Sequence, residues 1–283
     1  MKTIFEIVNA LKVCIISSFI TLGATSVVFI VSIVLTNPVT AQASNKARQI
    51  QEKSIKTTRL AGSESVATMT IIDQKGRKRV RKIAQVTKLT DNGATEKKMM
   101  KFIAPAEVKG TGLLTFDYED KSDDRWLYMP ALRKTRRIVS SENAKSFMGS
   151  EFSYADITPP NIDEFTYRLL GEENVNGIDC WKLEVIPLNE DVADENGFSK
   201  KIVYIGQDYV VRKAIFYDLD EELHKEMVVL AIKEVDPENH KFRLMHLEMT
   251  NLQNERRSTL KVDSIQYSEK IKDSYFTKRF LER

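Results

Sequence analysis

Cysteine is almost missing from this chain, with 2 in 283 residues, and the place of each one closes an option. Cys14 follows Leu11-Lys12-Val13, so a lysine stands where a lipid-attachment signal needs small residues. Cys180 is the lone cysteine beyond the leader described below, which leaves no disulfide to form within the exported part. Between Ile178 and Ile186 it has the opposite parity to Trp181, Leu183 and Val185. That reads as a small residue on the other face of a strand, with no histidine or basic cluster beside it in sequence to activate the thiol.

Histidine is as scarce, and His224, His240 and His246 lack second ligands at zinc-site spacing. No Gly-x-Ser-x-Gly is present, since Met148-Gly149-Ser150-Glu151-Phe152 lacks the glycine at its last position as at its first, and no glycine-rich phosphate loop occurs. The acidic run Asp117 to Asp124 (DYEDKSDD) lacks the central glycine and closing glutamate of a calcium loop, so it reads as an acidic turn. These absences together predict no enzyme, no cofactor and no metal site. Charge of one sign is missing too: 43 basic residues against 40 acidic give a net charge of +3, too little for a nucleic-acid surface. The basic run Lys75 to Lys82 (KGRKRVRK) surrounds a glycine turn and alternates in the way of a solvated hairpin edge.

What is present begins with a long uncharged run. Val13 to Leu35 carries no charge, follows Lys2 and Lys12, and precedes Ala41-Gln42-Ala43, a small-x-small pattern. Residues 1–43 are expected to be a signal peptide cut between Ala43 and Ser44. The run is also long enough to span a bilayer, so an uncleaved inner-membrane anchor is the other reading. Both put residues 44–283, expected to form a single domain, outside the cytoplasm.

Ser44 to Gly62 has the composition of an amphipathic helix, with Ala47, Ile50, Ile55 and Leu60 as its sparse apolar side. From Ser65 the period becomes two. Strand-like runs are separated by Asp91-Asn92-Gly93, Gly110-Thr111-Gly112, Asn176-Gly177, Asn196-Gly197 and Gly206-Gln207-Asp208. In the run Met227 to Ile232 both parities are apolar, which predicts cover on both faces. Leu260 and Val262 are expected to face opposite Ile265 and Tyr267. Asp273 to Leu281 reads as a short closing helix with Tyr275, Phe276 and Phe280. No alternation of strand and helix is visible, and ten to thirteen antiparallel strands in one sheet must curl. The expected fold is therefore mainly β: a strongly curved antiparallel sheet, an incomplete barrel with helices across its concave side.

One run stands apart. Ser140 to Pro160 is long, rich in serine, glycine and aromatics, and ends in Pro159-Pro160; a connection of that length in a compact domain needs a purpose, such as covering a site. Phe147, Met148 and Phe152 are large apolar groups in an otherwise polar loop. The chain also carries soft apolar Met69, Met99, Met100, Met129, Met227, Met245 and Met249, which suit varied apolar partners.

The residues Trp126-Leu127-Tyr128-Met129-Pro130-Ala131-Leu132-Arg133, then Arg136-Arg137-Ile138, then Ser146 to Asp156 (SFMGSEFSYAD) resemble the signature of the outer-membrane lipoprotein-sorting protein family, in the longer branch of the LolA/LolB-like group. Ser274-Tyr275-Phe276-Thr277 with Arg279 and Leu281 resembles the family's ending. The resemblance implies an incomplete β-barrel around an apolar cavity with helices as a lid. It further implies a monomeric periplasmic carrier of acylated lipoproteins or other lipids, in transient contact with membranes and associated with a resistance-nodulation-division type exporter. On this basis Trp126, Tyr128, Met129, Phe147, Met148, Phe152, Phe102 and Leu114 are expected to line or cover the lipid site. Arg133, Arg136 and Arg137 are expected to hold the long loop or meet a headgroup. The alternative from a different class is an inner-membrane-anchored adaptor of such an exporter without carrier activity.

Overall fold

A computed structural model describes residues 38–283, with side chains from Ser44. The expected signal peptide or membrane anchor, residues 1–43, lies outside the described residues apart from the helical backbone of 38–43. Among the described residues no helix is long and apolar enough to cross a membrane.

Helix α1 (Pro38–Thr58) leads into β1 (Gly62–Ile72), β2 (Lys78–Thr90), β3 (Thr95–Ala104), β4 (Gly112–Tyr118), β5 (Asp124–Met129) and β6 (Lys134–Ile138). After the long connection come β7 (Phe165–Val175), β8 (Ile178–Pro187), the short α2 (Glu190–Asn196), β9 (Lys200–Gly206) and β10 (Val211–Tyr217). Then follow β11 (Leu223–Asp236), β12 (Lys241–Asn251), β13 (Arg257–Tyr267) and α3 (Lys278–Leu281). All thirteen strands form one antiparallel sheet in the order β6-β5-β4-β3-β2-β1-β13-β12-β11-β10-β9-β8-β7. The first and last strands meet at its centre, where Met69 pairs with Leu260. The edges β6 and β7 do not pair, so the curved sheet stays an open barrel, and residues 139–164 run from one edge to the other.

The period-two pattern decides which residues go where. Odd-numbered positions of β8 (Trp181, Leu183, Val185) join an inner cluster with Phe165, Phe198, Phe216 and Met249. A second inner cluster holds Met69, Ile71, Ile83, Phe102, Leu113 and Leu127. Cys180 packs on the outer face with Ile202 and Tyr204. It is fully buried, and that burial pushes its thiol pKa up, so the thiol is inert. The expected opposition of Leu260 and Val262 to Ile265 and Tyr267 is corrected. A bulge opposite Val66/Ala67 takes Asp263 out of register, so Ile265 and Tyr267 pair with Ser65 and Ser63 and face the same side as Leu260 and Val262, which pair with Met69 and Ala67.

Three further expectations need correction. Asn196-Gly197 closes a helix rather than a bare turn. Asn189 caps α2 by accepting from Val192 N, and Gly197 ends it in the left-handed region at φ 72°, a conformation that glycine takes without penalty. Strand β11 is not covered on both faces: Leu230 is 52 % exposed, because bulges around Ala231 break its alternation against β12. The C-terminal element is a 3₁₀ turn (Asp273–Tyr275) followed by the one-turn α3, a strap laid on the outer face. Ile271, Phe276 and Leu281 there bury Met99 and Leu114, with Trp126, Tyr128 and Phe116 at the margin. The strap packs so closely that Gly62 leaves no room for a side chain: a Cβ would lie 2.3 Å from Ser268 O and 2.8 Å from Ile271 Cγ1.

Candidate functional site

The inner face of the sheet encloses a cavity of about 320 Å³, within the range of small-molecule sites. Its apolar floor comes from the central strands and one flank of the sheet: Met69 and Ala67 of β1, Ile83 of β2, Met100 of β3, and Leu260 and Val262 of β13. Val203, Ala214, Phe216, Met227 and Leu247 of β9 to β12 complete it. Alternate residues of neighbouring strands share a face, so a curved sheet gathers side chains distant in sequence around one hollow.

Two elements roof the cavity. Helix α1 fixes itself through Ala47 and Ile50, both buried in the inner cluster, and presents Gln51, Ser54, Ile55 and Thr58 to the hollow. The long connection supplies the rest. Phe147 N donates to Phe152 O at 2.7 Å, making a tight loop with Met148 and Gly149 at positive φ of 53° and 76°. The loop is pinned from outside by buried Glu151. Its backbone N donates to Ser258 Oγ at 2.9 Å, while its carboxylate accepts from Asn251 Nδ2 at 3.2 Å and pairs with Arg256 Nε at 3.0 Å. Phe147 and Phe152 are thereby held inward, at 3 % and 2 % exposure, and both line the cavity. Residues 155–160 continue the roof and separate the hollow from a polar recess lined by Asp123, Arg125, Asn143 and Glu164.

The other residues expected at the site divide by strand parity. Phe102 lies behind the cavity wall, its ring 5.9 Å from that of Phe147. Met129 and Met148 pack at the edge of the same cluster. Trp126, Tyr128 and Leu114 are on the opposite face of the sheet beneath the C-terminal strap, because Trp126 and Tyr128 alternate with inward Leu127. The expectation that they line the site is corrected accordingly. Arg136 reaches the long connection through Glu142 at 2.7 Å. Arg137 pairs with Asp124 on the neighbouring strand at 2.5 Å, and Arg133 is exposed in the turn after Pro130.

Sequence reasoning missed the polar groups inside. Lys201, Arg243, Lys98, Glu96, Gln85 and Arg59 all line the same hollow. A signal for two of them existed: Lys201 has the parity of inward Val203 and Ile205, and Arg243 that of Met245, Leu247 and Met249. The Lys201 ammonium lies 4.9, 5.6 and 5.8 Å from the centres of the Phe198, Phe165 and Phe216 rings, and burial lowers its pKa.

At the α1 end of the cavity, Arg59 Nη1 pairs with Glu119 at 2.8 Å and Nη2 stands 3.6 Å from Asp117. Burial, and then repulsion from Asp123 and Glu96, push Asp117 up to about 7, against the pull of Arg59 and Lys98. An unfolded aspartate releases its proton near 4 (about 3.9), so the folded state holds the extra proton from there to about 7. Stability therefore falls as pH rises through that window and levels off above it. Replacing Asp117→Asn is expected to remove this slope, on the order of 2–4 kcal/mol across the window. Chemical denaturation of both proteins at several pH values between 4 and 8 measures it, and parallel curves would refute the assignment.

Among the described residues no group of three His, Cys, Asp or Glu side chains could hold a metal. A broader, more open depression of about 470 Å³ lies elsewhere on the surface, lined by residues such as Thr166, Arg168, Glu184, Ile186 and Glu221.

Comparison with known proteins agrees with this geometry. A family model described as "Uncharacterized protein" matches residues 94–283. A domain from Vibrio parahaemolyticus assigned to outer membrane lipoprotein sorting superposes with a TM-score of 0.77 at 26% identity, over 85% of this chain and 100% of that one. A DUF1329 family protein from Desulfovibrio piger superposes with a TM-score of 0.77 at 27% identity, over 84% and 99%. A LolA superfamily protein from Nitrosomonas europaea, at 18% identity and a TM-score of 0.63 over 83% and 98%, shares the fold. No curated protein matches the sequence.

Proposed function

The chain belongs to the family whose model matches residues 94–283 and is similar to an outer-membrane lipoprotein-sorting domain, and from that premise we propose that it is a periplasmic carrier. In this reading it takes the acyl chains of lipoproteins or other lipids into its cavity and moves them towards the outer membrane. The observation that carries the proposal is the roofed hollow: an apolar floor from eight strands under a helix and a pinned loop. Burying hydrocarbon yields ~0.8 kcal/mol per CH₂, so a chain of about sixteen carbons gains on the order of 10 kcal/mol in a dry site. A preformed cavity keeps the ordering cost of binding small.

Phe147 and Phe152 are proposed as direct lipid contacts, with Phe102, Met129 and Met148 supporting the wall behind them. Arg136 is proposed to hold the loop that carries the two rings. Residues 1–43 act as the export signal, 44–283 as the single carrying domain, and the protein works as a monomer without enzymatic chemistry. An exporter of the resistance-nodulation-division type is the proposed membrane partner.

The test is extraction of the protein purified from the cell envelope, followed by mass spectrometry, with titration of a fluorescent acyl probe alongside. Co-purified lipid and saturable probe binding are expected. Absence of both would refute the carrier. Fractionation with N-terminal sequencing tests the location: a soluble periplasmic product beginning at Ser44 is expected, and a full-length membrane-bound product would favour the anchored adaptor.

A further inference from the structure

The cavity is apolar along most of its length but not at the end beneath the last turn of α1. Four side chains there keep polar atoms that are buried and have no hydrogen-bond partner among the described residues: Arg243 Nε, Arg59 Nε and Nη2, Gln85 Nε2, and Gln51 Oε1. All four line the hollow. The count is lopsided, since the three donor-bearing groups face one acceptor. Burying such donors without an acceptor is costly, and more so where the group is charged.

Charge is lopsided in the same direction. Arg59, Lys98 and Arg243 bring three cations to this end. The carboxylates facing them are Glu96 and Asp117, with Glu119 beyond the rim. Glu96 stands 3.8 Å from Lys98 Nζ, and Arg59 is taken up by Asp117 and Glu119. Among the described residues Arg243 has no carboxylate within 4.0 Å, although protein surrounds it and Glu96 is the acid that acts on it at longer range. Lys201 is the other enclosed cation without an ion pair, but its situation differs: an ammonium in apolar surroundings can shed its proton, and it has three aromatic faces beside it. The Arg243 guanidinium does not shed its proton so readily; it keeps its charge and presents a planar fork suited to a carboxylate or phosphate.

We propose that this end of the cavity seats the anionic headgroup, carboxylate or phosphate, of an acyl amphiphile, with Arg243 as the principal contact and Gln85 and Arg59 as further donors. The proposal rests on the carrier reading and specifies its load. The tail then runs along the floor of Met69, Leu260 and Val262 towards Phe147 and Phe152. The polar groups select among lipids that the apolar floor alone could not distinguish.

The experiment compares a fluorescent long-chain fatty acid with its methyl ester, which has the same chain without the charge, on the purified full-length protein. The acid is expected to bind at least about tenfold more tightly, the worth of one charge-assisted hydrogen-bond set. Arg243→Met should bring the acid down to the affinity of the ester and leave the ester unchanged, whereas Lys201→Met should preserve the ratio. Glu96→Gln removes the nearest competing carboxylate and should tighten the acid severalfold, a gain that misfolding cannot mimic. Inorganic phosphate at millimolar concentration should not displace the acid; if it does, the site is for a free anion and the headgroup assignment is overturned. Equal binding of acid and ester by the unmodified protein would overturn the proposal while leaving the carrier intact, as would loss of the ratio in Lys201→Met instead of Arg243→Met. Failure of both probes to bind removes the carrier reading and this inference with it.

Discussion

Replacing Ala67 by phenylalanine is expected to weaken binding of a long acyl probe by on the order of a hundredfold while leaving the sheet folded. Ala67 is buried on β1 and its methyl group faces the hollow between Ser65 and Met69. A ring placed there occupies the room of about four methylenes, and at ~0.8 kcal/mol per buried CH₂ their exclusion costs ~3 kcal/mol of affinity. In a close-packed interior the same substitution would cost about 1–3 kcal/mol of stability through overpacking. Here the about 320 Å³ of open space receives the ring, so the melting temperature should hold or rise. The two readouts separate the explanations. Lost binding at unchanged stability places the guest in this hollow. Unchanged binding in a stable variant would show that lipid is held elsewhere. A large fall in melting temperature would show that the space does not exist in solution.

That prediction depends on residues which the sequence made visible to different degrees. The floor was legible because β-structure encodes itself locally: Leu260 with Val262, and Trp181 with Leu183 and Val185, announce a shared face by alternation alone. The roof was half legible. Phe147 and Phe152 stood out as large apolar groups in a polar loop, and they do line the cavity. The polar end was not read, although Arg243 carries the parity of Met245 and Leu247; a charged residue on an apolar stripe is easily taken for an edge position. Trp126 and Tyr128 show a harder limit. They cannot share a side with Met129 on one extended strand, so parity alone splits the motif into two faces. Which face becomes the inside is set by the curl of thirteen strands and by where a C-terminal strap lands, and no short stretch of sequence contains that information. Helix α2 was hidden for a related reason: its seven residues are too few for a periodic signal, and only the Asn189 cap and Gly197 stop mark it.

The division of the two faces leads to the second large effect. Leu281→Ala is expected to destabilise the protein by about 2–5 kcal/mol, the cost of removing a fully buried leucine where the neighbours cannot collapse. Leu281 is 0 % exposed and its Cδ1 lies 2.6 Å from where a Cβ on Gly112 would stand, so the strap sits against bare backbone. Phe276 and Ile271 share the same small cluster with Met99 and Leu114, and no second layer lies behind them to repack. Against a typical margin of about 5–15 kcal/mol, such a loss should lower the urea midpoint markedly. The acyl-probe affinity of the molecules that remain folded should nevertheless stay the same, because the cluster is separated from the cavity by the full thickness of the sheet. Trp126→Ala should behave alike, losing stability and keeping affinity. The aromatic motif that first draws attention in the sequence thus serves to anchor the strap rather than to hold a lipid. A Trp126→Ala protein that keeps its stability but loses probe binding would reverse that conclusion and put the guest on the outer face.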